Sequence, residues 1–238
     1  MIAYTLFLLI TSMCLFQLEE NSSKAILSLM NIVLLVVPLV SLVFSTIHWY
    51  NSYEFIELML TQPISRRKVL LSEYMGISSS FLTAILIGLG VPILIYEFNA
   101  VGLSLLLVGC LLSMVFTSIS FLAAVKSRDK AKGIGVALLL WFYFSLLFDG
   151  LLLLLLFAFS DYPLEKFTLV VSSLNPIDLG RIFIMLKMDV SALMGYTGAI
   201  YKEFLGSNLG LIYTLVIMIV WAIVPVWLSL RSFKKKDL

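Results

Sequence analysis

The chain has 238 residues, of which 61% are hydrophobic and 13% charged, and its mean hydropathy is +1.09. A soluble domain is about half apolar and about a quarter charged, so this composition excludes a water-soluble fold and places the chain in a bilayer. The net charge of +2 decides little, because in a membrane protein the placement of basic residues carries the information.

A membrane-crossing helix needs about 20 apolar residues. Six apolar runs meet or approach that length: Met1–Leu18, Ala25–Ile47, Tyr74–Tyr96, Ala100–Val125, Ile134–Phe159 and Leu209–Leu230. The first is short, starts without a basic anchor and has no small-residue cleavage site, so it reads as a span and not as a signal peptide. It also suggests that an N-terminal segment precedes Met1. Cys14 and Cys110 lie inside apolar runs and read as small hydrophobes, since disulfide frameworks belong in water-exposed loops.

The basic residues divide by side. Arg66, Arg67 and Lys68, then Lys126, Arg128, Lys130 and Lys132, then Arg231 and Lys234 to Lys236 fall at one end of the predicted spans. Only Lys24, Lys166, Arg181, Lys187 and Lys202 fall at the other. The positive-inside rule puts the first group in the cytoplasm. The expected fold is therefore all-α and polytopic: six transmembrane helices, both termini cytoplasmic, a cytoplasmic helix between spans two and three, and an outer helical loop.

Between spans two and three, Phe55, Leu58 and Met59 share a face at helical spacing, with Glu54 and Glu57 off it. Pro63 ends that helix, since it lacks an N–H and disfavours helix at the preceding residue. Ser65 can cap the next one, which begins at Arg66 and Arg67. Two readings fit: a helix re-entering the membrane surface, or a coupling lever that docks on a cytoplasmic motor subunit.

Further along, Gly109, Ser113 and Thr117 recur every fourth residue on span four, which permits close helix approach or lines a path. Asp149 is the acid set deep in an apolar run. At roughly 2.5–3.5 kcal/mol for a charge at a helix centre it needs a partner, a cavity or a wet interface. In the outer loop Thr168–Met188, Asn175, Pro176 and Asp178 suit a turn with a helix cap, and Leu179, Ile182, Phe183, Met185 and Leu186 form an apolar stripe. Arg181 stands three residues from Asp178 and can pair with it. This loop reads as an outer gate, a partner-docking element or a helix on the outer leaflet. Met185, Met188 and Met194 could in principle bind copper(I), but methionines in an apolar helix more often pack.

No phosphate-binding loop and no zinc-binding H-E-x-x-H helix occurs, and His48 has no companion nearby in sequence. It is expected to anchor the interface with Trp49 and Tyr50. An intramembrane aspartyl enzyme would need a second acid facing Asp149, and no other acid lies deep in a span.

The stretch LMLTQPISR from Leu58 to Arg66 resembles the L-L-L-S-x-P-V-S-R segment of permease subunits of ABC exporters of the ABC-2 class. Three further stretches, Ser127–Gly135, Trp141–Asp149 and Leu174–Arg181, are similar to the members that serve maturation of nitrous-oxide reductase, as is the phrase Asp189–Gly198. The resemblance covers nearly the whole chain as a single domain over 1–238.

It implies a bacterial inner-membrane transport subunit without cofactor, catalytic residue or metal of its own. ATP and magnesium would be bound by a separate cytoplasmic ATPase. Also implied are a homodimer, a periplasmic β-helical accessory protein, no nucleic acid, and outward movement of a sulfur species for the copper–sulfur centre. Its coupling residues would be Glu57, Leu58, Pro63, Ser65, Arg66 and Arg67. Asp149, Ser113 and Thr117 would be the intramembrane polar residues, and Asn175, Pro176, Asp178 and Arg181 the outer gate or docking element. Two departures stand out: no elbow helix precedes span one, and Glu54-Phe55 replace a frequent Gly-Thr pair. The alternatives are an ABC-2 exporter of a lipid, peptide or drug, or an enzyme using Asp149.

Overall fold

A computed structural model describes residues 1–19, 22–127, 129–159, 170–188 and 195–234, with the backbone alone described over 195–207. Arg128, Lys166, Lys235, Lys236 and the start of the Asp189–Gly198 phrase lie outside the described residues. All regular elements among the described residues are helical, as a bilayer demands of a chain whose backbone groups must pair internally. In order they are α1 (Ile2–Leu18), α2 (Ser22–Asn51), α3 (Tyr53–Thr61), α4 (Arg66–Tyr96), α5 (Ala100–Lys126), α6 (Lys130–Ala158), α7 (Pro176–Met188) and α8 (Gly195–Lys234).

Five helices are long and apolar enough to cross a membrane: α2, α4, α5, α6 and the Asn208–Lys234 part of α8. Helix α1 has 17 residues and rises about 25 Å at about 1.5 Å per residue, less than the hydrocarbon thickness of about 30 Å. Of the cysteines, Cys110 is half-buried but Cys14 is exposed on α1, so only the first behaves as the packing residue expected.

Helix α5 is the hub, packed by α2, α4, α7 and α8. Leu105, Val108, Leu112, Phe116 and Phe121 are fully buried along it. Its hydroxyl residues join helices: Ser120 Oγ lies 2.8 Å from Thr46 Oγ1 and donates to the Leu42 carbonyl, while Ser118 donates to the Ala222 carbonyl of α8 at 2.8 Å.

Contacts gather the basic residues at one end. The Tyr50 hydroxyl donates to the Ser127 carbonyl, Lys130 to Asn51, and Arg66 to the carbonyls of Phe233 and Lys234. The C-termini of α2, α5 and α8 thus meet the N-termini of α4 and α6 there. Trp49 is not the interfacial anchor expected beside His48. It is buried between Phe121 and Phe233, because the next helices close over the end of α2.

Interruptions in the helices are used as docking points. Proline and π turns leave a carbonyl short of a helical donor, and neighbouring side chains supply one. The Gly88 carbonyl, four residues before Pro92, accepts from Ser12 of α1 at 2.9 Å. The carbonyls three residues before Pro38 and Pro225, at Leu35 and Ala222, accept from Trp141 and Ser118. In the π turn Tyr143–Leu147 of α6, the Phe144 carbonyl accepts from Asn175 at 3.0 Å.

Gly88 is where α1 comes closest to α4. A Cβ there would stand 2.7 Å from Leu8 Cβ and 3.1 Å from the Thr5 carbonyl oxygen, neither of which can swing aside. Gly88→Leu is therefore expected to lever α1 off the bundle and cost about 2 kcal/mol. Thermal unfolding of the purified chain checks this.

Candidate functional site

The segment between α2 and α4 folds as a short helix, a turn and a second helix, as its sequence pattern predicts. Which face α3 buries differs from the expectation. Ile56 is fully buried, with Met59, Leu60 and Ile64 packed behind it, whereas Phe55 and Leu58 are 55% and 65% exposed. Positions i, i+3 and i+4 still define the buried face, but they start at Ile56, one residue later. The outward surface therefore carries Phe55 and Leu58 flanked by Glu54, Glu57, Pro63, Ser65 and Arg67, all exposed.

Ser65 occupies the residue before α4, yet its hydroxyl makes no capping bond. Its carbonyl instead closes the first turn on the Lys68 N–H at 2.9 Å. Arg66 is tied inward to the last carbonyls of α8, where a cation meets the negative end of the helix dipole.

His48 has a partner that the sequence hides. Its Nε2 lies 3.0 Å from Glu73 Oε2 and 3.3 Å from Ser52 Oγ. The pair spans the base of the α3 segment, fixing the end of α2 to the first turns of α4. Twenty-five residues separate the two in sequence. The signal that could have found it is an isolated acid, Glu73, within the first turns of a spanning helix.

The second polar cluster lies in the half of α6 away from the basic end. Arg181 Nη1 donates to Asp149 Oδ2 at 2.9 Å and to Asp178 Oδ1 at 3.1 Å. Asn175 caps α7 by accepting from the Ile177 N–H at 3.0 Å, and its amide donates to the Phe144 carbonyl. Pro176 fills the first helical position, where a missing N–H costs nothing. The motif thus stitches α7 to α6 at two levels.

Helix α7 is not a surface helix on the outer leaflet. Every residue from Pro176 to Gly180 is buried. A Cβ on Gly180 would stand 2.8 Å from Val108 Cγ1, a residue about 12 Å along α5 from Ala100. Asn175, Pro176 and Asp178 therefore present no surface within the protomer, and Arg181 keeps about a third of its side chain exposed.

The cluster holds two carboxylates and one guanidinium. Asp178 Oδ2 is buried and has no hydrogen-bond partner among the described residues. A second acid does reach Asp149, then, but from α7 and not from a span. Arg181 Nη1 bonds both, so the acid pair carries a fixed cation of its own. Ser113 and Thr117 are fully buried inside the protomer, Ser113 donating to the Cys110 carbonyl and Thr117 facing Ser45 of α2 at 3.4 Å. Met185 and Met188 pack against the core, and Met194 lies outside the described residues.

Residues 3–238 match the family model described as "ABC-2 family transporter protein". Two relatives both carry the name "Probable ABC transporter permease protein NosY". The one from Pseudomonas aeruginosa is 32% identical over 152 residues, covering 58% of this chain and 54% of that protein. The one from Stutzerimonas stutzeri is 28% identical over 206 residues, covering 81% of this chain and 73% of that protein. With the first, the match spans about half the length of the relative. The family match runs over nearly the whole bundle, α3 and the ion cluster included, and the chain belongs to the ABC-2 family of transporter proteins.

Proposed function

We propose that the chain is the permease subunit of an ATP-driven exporter in a bacterial inner membrane, acting in maturation of the copper–sulfur centre of nitrous-oxide reductase. Two copies would pair with two cytoplasmic ATPase subunits, with α1 as the sixth span and the basic end facing the cytoplasm. A periplasmic β-helical protein would receive a sulfur species on the other side. One observation carries the exporter reading. The family's coupling segment presents Phe55 and Leu58 outward at the basic end while Ile56, Met59 and Leu60 anchor α3 in the bundle. An apolar surface on a rigid, anchored lever suits docking to a motor.

The maturation role is supported by the NosY relatives and by the Leu174–Arg181 stretch, the residues that build the α6–α7 ion cluster. In this reading α7 gates the outer half of the path, and the Asp149–Arg181–Asp178 cluster holds the gate to α6. Mass spectrometry of what co-purifies with the chain from membranes of nitrous-oxide-respiring cells tests it. Stoichiometric recovery of an ATPase with a phosphate-binding loop and a periplasmic partner is the expected result. An ATPase alone would leave an exporter of another cargo, and recovery of the chain by itself from otherwise intact complexes would overturn the exporter reading.

A further inference from the structure

We infer that the groove between α5, α6 and α8 at the basic end holds one acyl chain of an anionic phospholipid, with the headgroup phosphate at Lys126. The groove has a volume of about 490 Å³ and is walled by apolar side chains, among them Leu122, Ala123, Phe144, Val220, Val224 and Leu228. Lys126, the last residue of α5, is the one charged residue on its wall.

Length selects the occupant. Along α8 the groove runs from Ile217 to Leu228, about 16 Å at about 1.5 Å per residue. That is half of the hydrocarbon thickness of about 30 Å, the depth of a single leaflet. Phe144 of the α6 π turn meets Trp221 edge to face across its wall, ring centres 5.8 Å apart. A spanning helix from a second copy would run the full thickness, about twice the length of the groove. An acyl chain entering from one leaflet matches that length.

Charge selects the headgroup. Among the described residues no carboxylate lies within ion-pair distance of Lys126. Arg231 stands near the same level, stacked 3.7 Å over the Trp227 ring. Basic pockets between helices at a membrane surface favour anionic headgroups. A lipid seated here would fill the gap between α6 and α8, which otherwise share little packing.

The test is native mass spectrometry of the full chain in its assembled complex. The probes are phosphatidylglycerol and phosphatidylethanolamine with the same acyl chains. The wild type is expected to retain one phosphatidylglycerol per copy through a delipidating wash, with a preference of about fivefold over phosphatidylethanolamine, the worth of one basic residue at an anionic surface. Lys126→Gln, an exposed change that leaves the fold alone, should remove the preference. Ala123→Phe, which fills the groove, should remove retention of both lipids. Unchanged preference in Lys126→Gln, undiminished retention in Ala123→Phe, or loss of self-association in Ala123→Phe with no lipid released would each overturn the assignment. The last would place a second copy in the groove.

Discussion

Arg181→Gln is expected to be more damaging than removal of either acid that Arg181 serves. The wild-type cluster has one guanidinium bonded to two carboxylates, with Asp178 nearly fully buried. Taking away one partner of a buried ion pair leaves an uncompensated charge and costs about 3–5 kcal/mol in enclosed cases. Arg181 and Asp149 are each about a third exposed, so water offsets part of that and a loss of about 2 kcal/mol is expected.

Asp178→Asn should behave in the opposite way. It keeps the shape, removes the acid whose Oδ2 lacks a hydrogen-bond partner, and leaves Arg181 paired with Asp149, so stability should hold or rise. Asp149→Asn combined with Arg181→Gln should recover part of what Arg181→Gln alone loses, because the surplus of negative charge falls. Thermal unfolding of these three purified variants and of Asp149→Asn alone measures the order. An Arg181→Gln protein as stable as wild type would mean that the cluster does not hold α7 to α6. Under the proposed role, maturation of nitrous-oxide reductase in the same strains tests whether α7 is a gate. Asp149→Asn, which retains Arg181–Asp178, should assemble normally yet mature less reductase.

The sequence made the helices legible because the bilayer leaves a polypeptide few choices. Runs near 20 residues must be helical, and basic residues must collect at one end. It made Asp149 legible as a residue in need of a partner, since a charge in an apolar run is too costly to stand alone. What it hid were partners separated by long stretches of chain. Arg181 pairs with Asp178 three residues away, which spacing reveals, and with Asp149 thirty-two residues away, which spacing does not. The His48–Glu73 contact was hidden for the same reason.

The depth of α7 was hidden by its composition. An amphipathic stretch with Asp178, Arg181 and Lys187 reads as lying at a surface, but its two charged residues nearest the start neutralise each other and let the helix enter the bundle. The sequence leaves the buried face of α3 ambiguous because Phe55 and Ile56 are both apolar. Periodicity gives the width of an apolar stripe, and only the neighbouring helices decide which edge of it is covered.

That one-residue difference in α3 sets up the second large effect. Leu58→Glu is expected to abolish most of the stimulated ATP hydrolysis of the assembled complex while leaving the permease folded. Leu58 is 65% exposed and makes no part of the core, so its replacement should change stability by no more than about 0.5 kcal/mol. Placed beside Glu54 and Glu57, the new carboxylate would turn an apolar docking ridge acidic. Loss of an interface anchor costs about 2 kcal/mol or more, about 30-fold in affinity for the ATPase.

Ile56→Glu supplies the contrast. Buried against α2 and α4, it should fail at the level of folding and yield little protein in the membrane. If α3 were only a helix resting on the membrane surface, Leu58→Glu would loosen it from lipid but leave ATP hydrolysis unchanged. Equal hydrolysis by wild type and Leu58→Glu would therefore remove the coupling role from this segment. A loss confined to Leu58→Glu and Phe55→Ser, with Arg67→Gln less affected, would assign the contact to the apolar ridge and not to the basic start of α4.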